Sequence, residues 1–175
     1  QHLVGKEGAR VKNIAKARNA AIEQASQIHE FDKIVFIETD VLYNPQDAVE
    51  IILHQGDIIS GYTTNALGQF YDAWATRKTS DETWWEHGIP TEKTQVWSTF
   101  NGVCTYTAKA FQEGARFDGV NPRTEKTDCD TTVICEVFRT MGYDNIAMLP
   151  INIRHPPTSL RERLFYLKQR LLGRV

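Results

Sequence analysis

The sequence is poor in cysteine, lacks long apolar runs and carries almost no net charge, and each shortage excludes a class of protein. Its 175 residues include three irregularly spaced cysteines, too few for a disulfide framework or a zinc knuckle, and we interpret them as buried thiols in a reducing compartment. No stretch approaches the ~18–20 apolar residues that cross a bilayer, and the first residues show no signal-peptide core, which predicts a cytoplasmic or membrane-peripheral protein. With 20 basic and 22 acidic side chains the net charge is -2, so we expect no nucleic-acid partner.

What is present is the pattern of an α/β domain, in which helices and strands alternate. Apolar residues at helical spacing predict a first helix over about residues 9–29. The apolar run 33–37 predicts a strand buried on both faces, as in a parallel sheet. Further predicted elements are a helix from Asn44-Pro45, strands at 57–63, 96–107 and 145–149, and a helix at 131–141. The polar stretch 78–94, whose only large apolar residues are Trp84 and Trp85, predicts a long functional or mobile loop.

Two acidic residues, Glu38 and Asp40, follow the predicted buried strand. Because they are separated by one residue, their carboxylates point to the same side of an extended chain. Ligands of open α/β sheets bind at such strand ends, and two hard oxygen ligands suit Mg²⁺ or Mn²⁺ held largely by substrate phosphates. The alternative is that acidic residues simply end a strand at the solvent boundary.

An arginine interrupts the apolar stripe of the first predicted helix. Arg18, with Asn19 beside it, is costly to bury unless its guanidinium is paired or reaches an anion. Directed at the same sheet edge, it would complement a diphosphate or order a neighbouring carboxylate. Alternatively, Arg18 lies at the border of the stripe and extends into solvent.

The segments Ala17-Arg18-Asn19-Ala20 and 31–41 together resemble the GT-A nucleotide-sugar glycosyltransferases, in which a helix with an A-R-N sequence precedes the strand that ends in a DxD metal motif. Blocks at 70–77, 96–103 and 129–142 are similar to those of the fungal capsule-associated α-1,3-mannosyltransferases. Their order over roughly residues 10–156 is more specific than any single block. The resemblance implies a GT-A-like, Rossmann-like fold with a mostly parallel sheet flanked by helices. It also implies that the first βα unit of such folds is missing from this sequence.

The resemblance further implies a metal-dependent transfer of a hexose from a nucleoside diphosphate sugar to a hydroxyl of a glycan or a lipid-linked acceptor. GDP-mannose is the favoured donor, and a UDP-sugar is the alternative. By the same similarity, Glu38, Asp40 and His155 would bind Mn²⁺ or Mg²⁺, although Glu38 stands where the motif has aspartate. The metal would neutralise charge that develops on the departing diphosphate. Considered alone, a single histidine such as His155 is more often structural.

The remaining candidate residues are assigned by the similarity as well. The donor site would include Glu38, Asp40, Arg18, Asn19, Asp72 and Arg77. The acceptor would contact Trp97, Asn101 and Gly102, although an Asn-Gly pair is also an ordinary β-turn. The catalytic candidates are Asp72, Asp128 and Asp130. An inverting enzyme would use such a carboxylate as general base, whereas retention, which the resemblance implies, leaves Asp128 and Asp130 positioning the substrate; one of them is also explained as a helix cap.

Residues 158–175 form a predicted basic amphipathic helix, separate from a catalytic domain at 1–157. Residues 156–175 carry five basic and one acidic side chain, a net charge of +4, so the remainder of the chain carries -6. A leucine stripe at positions 160, 164, 167 and 171 would dock on its own domain, which we favour, or lie on an anionic membrane surface that holds a lipid-linked acceptor.

Two other functions remain open at this point. A sugar-phosphate nucleotidyltransferase would also place carboxylates and Mg²⁺ at a sheet edge, but it should carry a glycine-rich basic loop, and Gly5-Lys6-Glu7-Gly8 is a poor version of one. A non-catalytic carbohydrate-binding domain would keep the fold without turnover. Dependence on a metal and on a donor distinguishes these alternatives from a glycosyltransferase.

Overall fold

A computed structural model describes residues 6–25, 27–157 and 159–172. Its helices are α1 (Lys6–Gln24), α2 (Pro45–Leu53), α3 (Ala108–Gln112), α4 (Asp130–Thr140) and α5 (Leu160–Leu171). Its strands are β1 (Lys33–Ile37), β2 (Ile58–Thr64), β3 (Thr94–Gln95), β4 (Val103–Thr107) and β5 (Ile146–Arg154). The predicted mixed α/β class is therefore confirmed. Gly5, Thr158 and residues 173–175 lie outside the described residues, and with them parts of the predicted glycine-rich run and of the tail.

The strands form one sheet in the order β1-β4-β2-β5-β3. Only β2 and β5 are parallel, while the pairs β1-β4, β2-β4 and β3-β5 are antiparallel. The prediction of a mostly parallel sheet is therefore wrong. It rested on β1, whose apolar run suggested a strand covered on both faces, but β1 lies at the edge of the described sheet and most of its side chains are half-buried. A continuous apolar run does not encode strand direction, so the sequence could not supply it.

Two hydrophobic clusters hold the helices against the sheet. The larger one surrounds Tyr106 of β4, whose ring meets the edges of Phe111, Phe117 and Phe138 at centroid distances of 5.8–5.9 Å. The smaller one packs α2 on the sheet through Ile51. Edge-to-face aromatic contacts of this kind add to the free energy gained by burial alone. The core thus fixes the position of α4 and of the side of the sheet at which β1 ends.

The polar stretch 78–94 is more ordered than predicted. It contains a short 3₁₀ turn at Trp84–Glu86, and the two adjacent tryptophans differ sharply. Trp84 is 3% exposed and donates its indole N–H to the carbonyl of Gly88 at 2.8 Å, whereas Trp85 is 68% exposed. Trp84 therefore anchors the segment to the core and leaves Trp85 at the surface.

The C-terminal helix α5 confirms the predicted helical region, but its leucine stripe is not covered by the domain. Leu160, Leu164 and Leu171 are among the exposed large apolar residues, so docking of the stripe on its own domain is not what the structure shows. Among the described residues, no helix is long and apolar enough to cross a membrane. Lys6 to Gly8 begin α1, so this part of the glycine-rich run is helical and offers no phosphate-binding loop.

Candidate functional site

A cleft of about 400 Å³ opens at one side of the sheet, beyond the ends of its strands. Its lining includes Glu38 and Asp40 after β1, Thr63 near the end of β2 and His155 after β5. Because β1 and β2 both run antiparallel to β4 while β5 runs parallel to β2, all three strands end at this side. The cleft therefore lies at the carboxyl ends of strands, where the sequence predicts a ligand, although the sheet is mixed rather than parallel.

Arg18 of α1 lies inside the cleft and does not extend into solvent. Its Nη2 is 3.2 Å from Oε1 of Glu38, and its Nη1 donates to Oδ2 of Asp130. The guanidinium also stacks over the ring of Phe100 at 4.4 Å. Ion pairing and an aromatic face together compensate for removing the guanidinium from water. The arginine thus links α1, the end of β1 and the first residue of α4.

The cleft contains more carboxyl groups than cations. Glu38, Asp40, Asp72 and Asp130 all line it, together with the cations Arg10 and Arg18, of which Arg18 pairs with Glu38 and Asp130. Burial raises the pKa of Glu38, Asp72 and Asp130 above the ordinary values, and the charge of Arg18 only partly offsets this. Burial alone would lower the pKa of Arg18, but the charge of Asp130, with smaller effects from Tyr106 and Glu38, raises it. We call this group of four carboxyls and Arg18 the acidic cleft.

His155 lies beside Asp40 at the rim of the acidic cleft. Its Nε2 is 3.3 Å from Oδ2 of Asp40, its ring stacks on Tyr71 at a centroid distance of 4.0 Å, and its backbone N–H donates to the carbonyl of Thr64 at 2.8 Å. These contacts fix the imidazole. Residues 155 and 40 are distant in sequence, and β5 and the segment after β1 bring them together.

The donor atoms at this rim fit a metal ion held by few protein ligands. An imidazole nitrogen beside a carboxylate offers two ligands of the kinds that Mn²⁺ accepts. Glu38 contributes less directly because its Oε1 is engaged by Arg18. Among the described residues, no group of three or more His, Cys, Asp or Glu side chains is placed to hold a metal ion. Most of the coordination sphere would therefore come from a ligand or water.

The Asn101–Gly102 turn positions two of the carboxyl residues. Both residues have positive φ, 55° and 74°, and a Cβ at Gly102 would meet Cγ1 of Val41 at 2.6 Å. The carbonyl of Gly102 accepts the N–H of Glu38 at 2.8 Å, and the N–H of Asn101 donates to Oδ2 of Asp72 at 3.0 Å. The side chain of Asn101 is buried and hydrogen-bonds to Thr63 and Thr99. The turn thus acts through its backbone, and of the two residues only Gly102 lines the cleft.

The walls of the cleft are apolar and aromatic. Val11 and Ile14 of α1 line one side, and Trp74 and Trp85 expose their rings at the opening. Flat aromatic faces with polar groups nearby suit a sugar ring or a nucleobase. The sequence analysis gives Trp85 no role in the site. The only indication of one is that Trp85 is a large apolar residue in an otherwise polar stretch.

Two smaller groups in the cleft were also missed from the sequence. The Oγ1 of Thr63 is buried and has no hydrogen-bond partner among the described residues, so it remains available to a ligand. The thiol of Cys129 lines the cleft as well, but burial, together with the charge of Asp130, raises its pKa to about 12. A thiol with such a pKa is protonated at neutral pH and is a poor nucleophile.

Arg77 and Asp128 pair with each other away from the acidic cleft. Nη2 of Arg77 is 2.6 Å from Oδ1 of Asp128, whose Oδ2 accepts the amide of Asn121 at 2.9 Å. The N–H of Cys129 also donates to Oδ1 at 2.8 Å. The carboxylate is therefore satisfied by protein groups, and neither Arg77 nor Asp128 lines the cleft.

Asn19 and Trp97 also lie outside the cleft and make structural contacts. The amide of Asn19 exchanges two hydrogen bonds with the backbone of Phe117, each of 2.9 Å. The indole N–H of Trp97 donates to Oε1 of Glu136 at 2.9 Å, and its ring lies 4.3 Å from the guanidinium carbon of Arg139. Of the predicted site residues, the structure thus brings together Arg18, Glu38, Asp40, Asp72, Gly102, Asp130 and His155.

A model of a known protein family matches most of the sequence. The family model described as Cryptococcal mannosyltransferase 1 matches residues 3–137, more than half of the 175 residues. The matched region includes the acidic cleft and most of α4, while His155 and α5 lie after it. No curated protein matches the chain.

Proposed function

The chain belongs to the Cryptococcal mannosyltransferase 1 family, and from this premise we propose that it is a glycosyltransferase of GT-A-like fold that uses a nucleoside diphosphate sugar. The observation that carries the proposal is the acidic cleft, in which four carboxyls and Arg18 lie together beyond the ends of three strands. The family favours a mannosyl donor, GDP-mannose, with a UDP-sugar as the second choice. The acceptor is a hydroxyl of a glycan or a glycolipid.

Electrostatics supports a requirement for a divalent cation. A diphosphate would meet the carboxyls of Glu38, Asp40, Asp72 and Asp130, and the lining offers two arginines, Arg10 and Arg18, to offset their charge. Like charges this close repel unless a cation is bound between them. Asp40 and His155 would hold Mn²⁺ or Mg²⁺, with Glu38 behind them. The ion supplies charge neutralisation at the departing diphosphate.

The protein groups orient the sugar and keep water out. Arg18 fixes the carboxylates of Glu38 and Asp130, so that Asp130 can accept hydrogen bonds from sugar hydroxyls. Asp72 uses Oδ2 for the Asn101 N–H, and we assign its other oxygen to the sugar. The exposed rings of Trp74 and Trp85 cover an apolar face of the donor.

The transfer breaks the bond between the sugar C1 and the diphosphate oxygen, and the electron pair leaves with the diphosphate. A bond forms between C1 and the acceptor oxygen, whose proton passes to the departing diphosphate oxygen. In a retaining transfer, which the family resemblance favours, Asp72 and Asp130 position substrate rather than remove that proton. The two carboxyls thereby contribute orientation, which is a large part of the catalysis of bimolecular reactions.

The first experiment measures hydrolysis of GDP-mannose and several UDP-sugars with and without Mn²⁺. We expect hydrolysis of one donor that requires the metal and falls ~100-fold or more in Asp40→Ala. Asp32→Ala is the matched control, because Asp32 is an exposed aspartate just before the other end of β1. This variant should hydrolyse the donor at the wild-type rate.

A thermal-shift screen identifies the donor independently of turnover. A nucleotide that binds only the folded protein raises its melting temperature, and the increase should require Mn²⁺ and disappear in Asp40→Ala. If no donor stabilises the protein or is hydrolysed, or if Asp40→Ala behaves as wild type, the proposal is wrong. Metal-independent binding of free sugar would instead favour a carbohydrate-binding domain.

A further inference from the structure

Helix α5 exposes an apolar stripe that nothing in the described chain covers. Leu160, Leu164, Leu167 and Leu171 recur at the spacing of one helix face, and they are 72%, 58%, 54% and 79% exposed. Phe165 and Leu172 alongside are each 52% exposed. Single exposed leucines are normal on protein surfaces, but a contiguous apolar patch marks an interaction site.

Cations flank this stripe on both sides. At 3.6 residues per turn, Arg161 and Lys168 fall on one side of the leucines and Arg163 on the other. The only acidic residue of the helix, Glu162, lies on the opposite face. Arginine and lysine beside an apolar stripe can extend their charged ends to lipid phosphates while the leucines enter the acyl region.

The helix faces the domain along one side, which includes Leu167 at the border of the stripe. Arg163, Tyr166 and Leu167 line a second cavity of about 430 Å³ together with Leu42 and Pro156 of the domain. Tyr166 is half-buried there, whereas Leu160, Leu164 and Leu171 remain exposed. The stripe is therefore free to bind a surface while α5 stays attached to the domain.

Charge distinguishes between the surfaces that could cover the stripe. In a second copy of the chain, facing stripes would bring Arg161, Arg163 and Lys168 of both helices together, with Glu162 too far away to compensate. An anionic lipid surface instead complements these cations.

We propose that α5 lies in the plane of an anionic bilayer surface, with its leucine stripe toward the lipid. The second cavity is also lined by His155, which lies at the rim of the acidic cleft. Binding in this orientation holds the membrane surface beside the opening of that cleft. The inference concerns α5 alone and does not depend on turnover of a sugar donor.

Co-sedimentation with vesicles tests the proposal on the full chain. The vesicles are phosphatidylcholine alone and phosphatidylcholine with roughly one quarter phosphatidylserine. We expect ~10-fold or stronger binding to the anionic vesicles, weakened when NaCl is raised from ~0.1 M to ~0.5 M. The charge-reversal variant Arg161→Glu/Lys168→Glu should lose ~10-fold or more of this binding.

The stripe variant Leu164→Glu/Leu171→Glu should lose binding to both kinds of vesicle. Leu53→Glu is the matched control, because Leu53 is a 70% exposed leucine at the end of α2 and its substitution should leave vesicle binding unchanged. All substituted leucines are exposed, so we expect each variant to fold, and thermal melting verifies that it does.

Three results would overturn the proposal. They are absence of sedimentation with anionic vesicles, equal binding to neutral and anionic vesicles, and unchanged binding of the stripe variant. Sedimentation velocity without lipid tests the competing occupant, a second copy of the chain. If the protein does not bind vesicles and forms a dimer that dissociates in Leu164→Glu/Leu171→Glu, the stripe is a dimer interface.

Discussion

The acidic cleft and a second group of charged residues both place arginines against carboxylates, but they differ in how the charges are matched. The second group, which we call the ion-pair network, consists of Arg77, Asn121, Arg123, Asp128 and Glu136. In it, Asp128 accepts from Arg77 and Asn121, and Glu136 accepts from Trp97 and from Arg123 at 3.2 Å. The two buried carboxylates thus each face an arginine, and Arg123 also reaches the exposed Asp81 at 3.0 Å. In the acidic cleft, Arg18 pairs with Glu38 and Asp130, while no salt bridge joins Asp40 or Asp72 to an arginine or lysine of the described residues.

This difference indicates what each region does. A carboxylate whose oxygens are occupied by protein donors holds parts of the chain together and has little capacity left for a ligand. Carboxyls in excess of their cations cost free energy in the unliganded protein, and burial raises the pKa of three of them in the cleft. Such an arrangement is typical of a binding site. Substitutions in the ion-pair network should therefore affect stability alone, whereas substitutions in the acidic cleft should also affect binding and activity.

The largest effect is expected from removing the arginine of each region. Arg18→Met leaves Glu38 and Asp130 without their cation, and breaking a buried pair in this way costs about 3–5 kcal/mol of unfolding free energy. Urea unfolding at pH 7.5 and pH 5 measures it, and the loss should be smaller at pH 5, since carboxyls with a raised pKa become neutral as the pH falls. Arg77→Met should also destabilise the protein but leave donor binding intact. Loss of donor binding in Arg77→Met alone would contradict the comparison.

Neutralising the neighbouring aspartates Asp128 and Asp130 should separate stability from activity. Asp128→Asn weakens hydrogen bonds to a charged acceptor and should lower the unfolding free energy by about 2 kcal/mol, with donor hydrolysis unchanged. Asp130→Asn should reduce hydrolysis ~100-fold with a smaller loss of stability, because it removes one of the excess carboxyls. The measurements are urea midpoints and kcat/KM. Equal losses of activity in the two variants would show that the network belongs to the site.

Asp72→Asn should increase stability while it lowers activity. Burial raises the pKa of Asp72 above its ordinary value of 3.8, so the ionised form is disfavoured in the folded protein. The stability associated with this group falls as the pH rises from the ordinary value through the raised one. At pH 7 the variant should melt a few degrees higher, and its stability should decline less between pH 4 and 7, as followed by thermal denaturation. Asp144→Asn, at an exposed aspartate, is the control, and a lower melting temperature for Asp72→Asn would refute the assignment.

The smallest effects are expected at the tryptophans. Trp97→Phe removes the hydrogen bond to Glu136 and should cost about 1 kcal/mol without changing KM for donor or acceptor. Trp85→Ala, at the opening of the cleft, should keep its stability within about 0.5 kcal/mol and raise the donor KM several-fold. Chemical denaturation and steady-state kinetics distinguish the two. A raised acceptor KM in Trp97→Phe would restore the role that the sequence assigned to it.

Local patterns predicted the residues that begin and end the relevant elements. Glu38 and Asp40 were found because a strand pattern ends immediately before them, and Arg18 because it interrupts a helical stripe. The direction and the pairing of the strands cannot be predicted from such local patterns. An apolar run reads the same in parallel and antiparallel sheets, so β1 was misassigned as a strand buried on both faces.

Local sequence patterns also cannot predict contacts between residues that are far apart in the sequence. Arg77 and Asp128 are 51 residues apart, and nothing local shows that one neutralises the other. The same is true of His155 and Asp40, 115 residues apart, which in the sequence only the family resemblance connects. Trp85 carried too little signal, because a single exposed tryptophan has the same local pattern as its buried neighbour Trp84.

The Asn101–Gly102 turn makes the spacing of two carboxyls a property of the backbone. One of its residues holds the N–H of Glu38 and the other holds the carboxylate of Asp72, so any displacement of the turn moves both acids together. Substitutions around the opening of the cleft, at Trp74 or Trp85, leave this frame untouched. In the proposed glycosyltransferase, substitutions at the rim should therefore change which sugar is accepted without changing the distance between the two acids beneath.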